Sequence, residues 1–376
     1  MLGFRLVLAP RLAVSRKTIA LTTAVGVVTG LAVCALFLIA VGVPADALGE
    51  EFVVYVFGNT AGLDQTITRA IPLILVGLSV AMALQVKFWN VGVEGQSWVG
   101  AIGATSVVLY HFGPMALHLP IMFLVAALGG GLWCVLPALA KIWLRADEVV
   151  TTLLMNYIGY LWAQDLLYGS WRNPEGSFPV STTFAPVTER LPNLGFGHVH
   201  AGLVIALAAA LFCWWLVARS RVGFMARAIA ANPVAARATG IPVDWIILLM
   251  VMLAGALSGM AGFTLVAGLE YKLTQFIGRD LIFPSIVIAY LGRANPIGVV
   301  VASFAIAGIY TAGDSLKAFY QLPQAVVTTI EALLLLTVSA FDFFQRYRVV
   351  VVRATPPITP NSLTAAQYPA QTRPSR

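Results

Sequence analysis

The sequence predicts an all-α fold, a polytopic membrane bundle of about ten transmembrane helices with both termini cytoplasmic. Three observations predict it. Hydrophobic residues fill 59% of the chain and charged residues only 10%, far below the roughly 25% charged of soluble domains. The apolar residues arrive in blocks of about 20 separated by short polar loops, as the thickness of a bilayer demands of helices. The cations are also sided: with a cytoplasmic N-terminus, most of the 23 Lys and Arg residues fall on one side, leaving Arg69, Arg172, Arg190, Lys272, Arg279 and Lys317 on the other. That asymmetry is the positive-inside pattern and requires an even helix count. The net charge of +7 is therefore a topology signal, and no basic face on a soluble domain points to nucleic acid.

The blocks fall near residues 19–43, 70–86, 95–112, 119–140, 149–168, 201–218, 245–268, 275–291, 297–313 and 325–344. The first follows Arg5, Arg11, Arg16 and Lys17. It is longer than the about 7–15 residues of a secretory apolar core, so it reads as an uncleaved helix. Arg279, Asp280 and Pro284 crowd the eighth, which predicts a broken or re-entrant segment buried in protein. Domain organisation follows as a cytoplasmic segment 1–18, a transmembrane domain 19–345 and a cytoplasmic, largely disordered tail 346–376. The outer loop 169–200, with Trp171, Pro174, Pro179, Pro186 and Pro192, is too long for a simple connector and reads as a docking surface or a lid. Cys34, Cys134 and Cys213 lie in separate apolar blocks, so neither a disulfide framework nor a metal site is implied.

Two segments carry mechanistic signals. The cytoplasmic loop 219–244 ends on a short helix: Asn232 suits the N-cap, Pro233 the first helical position and Gly240 the left-handed residue beyond the end. Two turns, 233–239, are marginal alone in water. Something must brace them, either another protein meeting the small face of Ala235, Ala236 and Ala238, or the chain's own bundle. In the segment from Lys87 to Gln96, a carboxylate (Glu94), two amides (Asn90, Gln96) and two glycines (Gly92, Gly95) sit at the mouth of the third apolar block. Such residues line a polar path, with interrupted backbone offering N–H groups to a solute, or they cap the helix at the surface.

Further polar residues lie in later helices: Asn156, Gln164, Asp314 and Glu331. Glu331 lines a solute path or pairs with a hydroxyl such as Thr328. Asn295-Pro296 repeats the cap-and-N1 chemistry at the ninth block. Gly255 and Gly259, with Ala254, Ser258 and Gly262, make a small-residue stripe for close packing.

Together these stretches resemble the binding-protein-dependent permeases of the branched-chain amino acid, ribose and nucleoside branch of ABC importers. The matching segments are Ile71–Leu78, Asn90–Gln96, Glu148–Tyr157, Arg227-Ala228 with Asn232–Ala236 and Gly240-Ile241, and Leu291–Gly298. The forms at Asn90–Gln96 and Leu291–Pro296 look most like permeases paired with basic-membrane-lipoprotein-type binding proteins. Trp89 and Glu331 depart from the branch, which usually has Phe and Gln there. The resemblance implies a permease subunit in the bacterial inner membrane that passes a small polar solute, a purine or pyrimidine nucleoside first and a simple sugar next. The residues themselves make Asn90, Glu94, Gln96, Asn156 and Glu331 the candidates for a translocation path. The resemblance also implies a coupling helix at 233–239, with Arg227, Asn232, Pro233, Ala235, Ala236 and Gly240, docked in a cytoplasmic ATP-binding subunit. Its partners would be that ATPase, a homologous sister permease or second copy, an extracytoplasmic solute-binding protein and the lipid bilayer. The chain has no Gly-x-x-x-x-Gly-Lys-Ser/Thr phosphate loop, so ATP and Mg are expected on the partner and no cofactor on this chain. The competing readings are an ion-gradient-driven secondary transporter, which needs intramembrane acids such as Glu94 and Glu331 as ion sites, and an intramembrane enzyme. The second lacks a catalytic cluster, because His111, His118, His198 and His200 all lie on or near the outer face.

Overall fold

The computed structural model describes residues 4–10, 16–176, 178–278 and 280–353, and the chain divides into two units. The smaller holds residues 1–26 and 339–376. Within it β1 (Phe4–Pro10) pairs antiparallel with β2 (Tyr347–Arg353), Phe4 opposite Arg353 and Pro10 opposite Tyr347. The stretch expected to open a disordered tail thus begins as a strand. Four consecutive valines, Val349 to Val352, favour extended backbone through their branched Cβ atoms. Residues 354–376, where the disordered tail was expected, lie outside the described residues, as does Arg279.

Helices build the larger unit, residues 27–338. In chain order the helices are α1 (Arg16–Ala40, which begins in the smaller unit), α2 (Ala45–Gly49), a π-helical stretch Glu50–Gly58, α3 (Thr60–Leu84), α4 (Val93–Tyr110), α5 (His118–Leu144) and α6 (Glu148–Tyr168). They continue with α7 (Gly202–Arg219), α8 (Arg221–Ala231), α9 (Pro233–Ala238), α10 (Val243–Thr264), α11 (Ile282–Leu291), α12 (Pro296–Tyr320) and α13 (Gln324–Arg346). Among the described residues, five helical stretches are long and apolar enough to cross a membrane: α3, residues 115–144 containing α5, α7, α10 with its π-helical extension to Glu270, and α12. Helices α4 and α6 occupy the third and fifth apolar blocks, but polar residues such as Gln96, Thr105 and Asn156 dilute them.

Helix α3 is the centre of the bundle, buried without interruption from Ala70 to Ala83. The stripe expected from Gly255 and Gly259 packs as the sequence suggests. A Cβ on Gly259 would fall on the Ala126 carbonyl, one on Gly130 on that of Gly255, and one on Gly100 on that of Gly259. Helices α4, α5 and α10 therefore meet backbone to backbone, a separation only glycine permits.

The eighth block is helical only over its last ten residues, Ile282–Leu291. Before it the chain pairs with the 169–200 loop: Gln275 N donates to Val180 O at 3.1 Å, Thr182 N to Leu273 O at 3.0 Å, and Ala185 N to Tyr271 O at 2.7 Å. Non-helical backbone is tolerated at such a place because protein satisfies it. The same loop is pinned by two side-chain pairs. Glu189 meets His118 at 2.6 Å with both side chains buried, and Asp64 accepts from the His198 amide at 2.7 Å and faces its Nδ1 at 2.8 Å. Next to it His200, 2% exposed, accepts from the Gly202 amide at 3.1 Å through Nδ1. Burial pushes its imidazole down to about 4.

Candidate translocation path and partner contact

The turn before α4 is held by a clasp of amides. Asn90 Nδ2 donates to Gln96 Oε1 at 3.0 Å while Gln96 Nε2 donates back to Asn90 Oδ1 at 2.8 Å. Asn90 Nδ2 also reaches Ser79 Oγ on α3 at 3.1 Å, and Ser79 Oγ in turn accepts from Ser258 Oγ on α10 at 2.8 Å. Asn156 on α6 closes the other side, accepting from Gly95 N at 2.7 Å and donating to Val91 O at 2.8 Å. Asn90 and Gln96 are each 1% exposed, so neither lines a cavity in this conformation.

The backbone donors expected to greet a solute are also taken. Val91 N goes to Thr152 Oγ1 at 3.3 Å, Gly92 N to Asn90 Oδ1 at 3.1 Å and Gly95 N to Asn156. The helix runs unbroken from Val93, and Gly92 is its N-cap. Gly95 serves close approach: a Cβ there would stand 2.7 Å from Asn156 Cα. Buried amides must be paired, and here the pairing is internal.

Glu94, one residue before Gly95, points the other way. It lines a cavity of about 240 Å³ with Leu153, Asn156, Tyr157, Tyr160 and Ile282, so of the predicted path residues Glu94 and Asn156 come together. Glu331 falls in α13, but its side chain lies outside the described residues. Gln164 Nε2 reaches Gln275 O at 3.4 Å, which makes it a loop anchor.

At the basic end of the bundle, α9 has the predicted punctuation. Asn232 Oδ1 accepts from Val234 N at 3.0 Å and Ala235 N at 3.1 Å, Pro233 opens the helix and Gly240 has φ +82°. Ile241 N bonds back to Ala236 O at 3.1 Å. One element of the expected face is corrected. Ala236 is 4% exposed and packs into the main core, whereas Val234 is 77% exposed and leads the outward side with Ala235 and Ala238. A two-turn helix with one face on its bundle has its Cβ directions split about the axis, so Ala236 cannot share the outward face. Arg227 is spent on the Val217 carbonyl, tying α8 to α7.

At the end of the bundle that carries the long loop, α3, α12, α13, the π-helical extension of α10 and the approach to α11 surround a cavity of about 410 Å³, with His198 at its edge. Arg69 Nη2 stands 2.6 Å from Asp314 Oδ2 inside it, and the Arg69 guanidinium lies 5.8 Å from the Tyr310 ring centroid. Sequence reasoning noted Arg69 and Asp314 but did not join them. Ionisable residues inside apolar helices were the available signal; their partnership needed the fold.

The bundle thus combines apolar spans, glycine-locked contacts and a capped helix turned outward beside them. A family model described as "Branched-chain amino acid transport system / permease component" matches residues 62–339. The chain belongs to this permease family. A glucose ABC transporter permease protein of Haloferax volcanii is 33% identical over 87% of this chain and 89% of its own length. Two guanosine ABC transporter permease proteins of Bacillus subtilis are 29% and 26% identical, the first over 87% of this chain and 95% of its own length, the second over 74% and 90%. The permease is thus the membrane-embedded, multi-pass subunit of an ABC importer, a transport component and not an enzyme.

Proposed function

We propose that this permease passes a nucleoside, purine or pyrimidine, across the bacterial inner membrane, and that ATP hydrolysed with Mg on a separate cytoplasmic subunit drives it through α9. Nucleoside and guanosine permeases recur among its relatives. The glucose permease at 33% identity favours a simple sugar as the second reading. The observation that carries the coupling assignment is α9 itself, a capped two-turn helix whose Val234 is 77% exposed. Its length makes it marginal alone, and a groove on an ATPase subunit would complete it, with Asn232, Pro233 and Gly240 fixing its ends and Arg227 the helix before it.

Ten transmembrane segments with both termini cytoplasmic fit the sided cations. Two distinct guanosine permeases in one organism support a heterodimer with a sister permease, and an extracytoplasmic binding protein delivers the solute at the end that carries the 169–200 loop. Glu94 and Asn156 line the path, and Asn90 and Gln96 hold its frame.

The decisive experiment is uptake by proteoliposomes containing the full complex, with the binding protein's solute first named by thermal shift against guanosine, uridine, glucose and leucine. Uptake dependent on ATP inside and binding protein outside is the expected result. Uptake by this chain alone under a proton or sodium gradient would sink the reading.

A further inference from the structure

The cavity between α3, α12 and the start of α11 has the chemistry of a solute site within one subunit. At about 410 Å³ it falls within the about 300–1,000 Å³ of small-ligand pockets. Arg69 and Asp314 pair on its wall at 2.6 Å, yet their side chains remain 38% and 41% exposed. An ion pair so open adds little to stability, and ionisable groups among apolar helices are costly unless they serve a cavity or partner.

The pair presents N–H donors and a carboxylate acceptor side by side. Adjacent hydroxyls of a sugar ring, each both donor and acceptor, complement that arrangement. Beside it the Tyr310 ring and the apolar wall of Leu265, Leu269 and Pro72 suit a flat ring face. Three carboxylates line the cavity, Asp64, Asp280 and Asp314, beside one permanently cationic side chain, Arg69, and the His198 imidazole that faces Asp64, so an anionic ligand meets more acids than fixed cations.

We propose that this cavity is a transient binding site for the solute's sugar ring, held by Arg69 and Asp314 over Tyr310, and that it admits neutral nucleosides or sugars while rejecting their phosphate esters. The proposal rests on the solute class argued above but makes its own claim about where this chain holds that solute.

The test is direct binding to the purified permease–ATPase complex without binding protein, using tritiated guanosine and radiolabelled glucose at millimolar concentration. Saturable binding of at least one is expected, unaffected by guanosine 5′-monophosphate or glucose 6-phosphate, and weakened at least fivefold in Arg69→Gln, in Asp314→Asn and in the double variant. Complex assembly is checked by size exclusion, and uptake of the same solute should show a raised KM in all three. A purely structural ion pair predicts a different pattern, with both single variants impaired and the uncharged double variant restored. That pattern, equal competition by the phosphate esters, or no saturable binding to the wild type would overturn the proposal. If the binding protein is stabilised by neither nucleosides nor sugars, the substrate assignment fails separately, and direct binding of guanosine or glucose to the wild type and the three variants still decides whether the cavity holds a sugar ring.

Discussion

Glu189 and His118 form a buried pair, carboxylate oxygen to Nδ1 at 2.6 Å, that fastens the 169–200 loop to the start of α5. The other ring nitrogen of His118 is 3.1 Å from the Gly113 carbonyl. Removing one partner strands the other without its hydrogen bond in a buried place, which destabilises the fold. Glu189→Ala is therefore expected to lower the melting temperature of the purified protein by several degrees, and Glu189→Ala/His118→Ala to cost less than the sum of the two single changes. Additive losses would mean that the two side chains act independently.

The amide clasp makes a folding prediction. Asn90→Ala leaves the Gln96 amide and the Gly92 N–H without their partner, and a stranded buried polar group costs about 1–3 kcal/mol. Membrane levels and melting temperature should both fall. A variant as stable as the wild type would show that the clasp is dispensable.

Glu94 makes the opposite prediction. Because it faces a cavity and leaves the clasp to its neighbours, Glu94→Gln should insert at near-normal levels while ATP-driven uptake drops several-fold. Undiminished uptake would remove it from the path.

For α9 the informative substitution is Val234→Asp, at an exposed position. It should leave insertion intact but weaken capture of the ATPase subunit at least tenfold and abolish uptake. Gly240→Val should do the same more mildly, since a branched residue at φ +82° costs at least about 1–2 kcal/mol of backbone strain. Ala236→Glu is a poor probe, because it buries a charge in the bundle's own core. Normal capture by Val234→Asp would show that the ATPase docks elsewhere.

His200 gives the permease a pH dependence. Burial lowers its folded value to about 4, below the ordinary value near 6.5 of an unfolded chain. Protonation thus favours unfolding. The stability it lends is complete above pH 6.5, is lost as pH falls toward 4, and amounts to at most about 3 kcal/mol. Melting temperature should drop from pH 7 to pH 4.5, and His200→Gln should flatten that drop. An identical slope in the variant would assign the sensitivity to other groups.

Local chemistry was what the sequence could announce. The cap of Asn232, the proline at 233 and the positive φ at Gly240 depend on neighbours in the chain, and each stands where the residues suggest. The orientation of a two-turn helix does not, so Ala236 was read as outward although the bundle claims it. Likewise the Asn90 to Gln96 stretch has the composition of either a path or a clasp. The difference lies in Ser79, Thr152, Asn156 and Ser258, which reach it from three other helices. The pairing of Arg69 with Asp314 spans most of the chain, and no spacing rule connects them.

The glycine contacts among α4, α5 and α10 also bear on how the permease moves. Where carbonyls rest on Cα atoms no side chain stands between to change rotamer, so these helices cannot slide past one another by repacking. A seam of this kind resists sliding and makes the three helices a stiff unit, and α9 leads straight into one of them, α10.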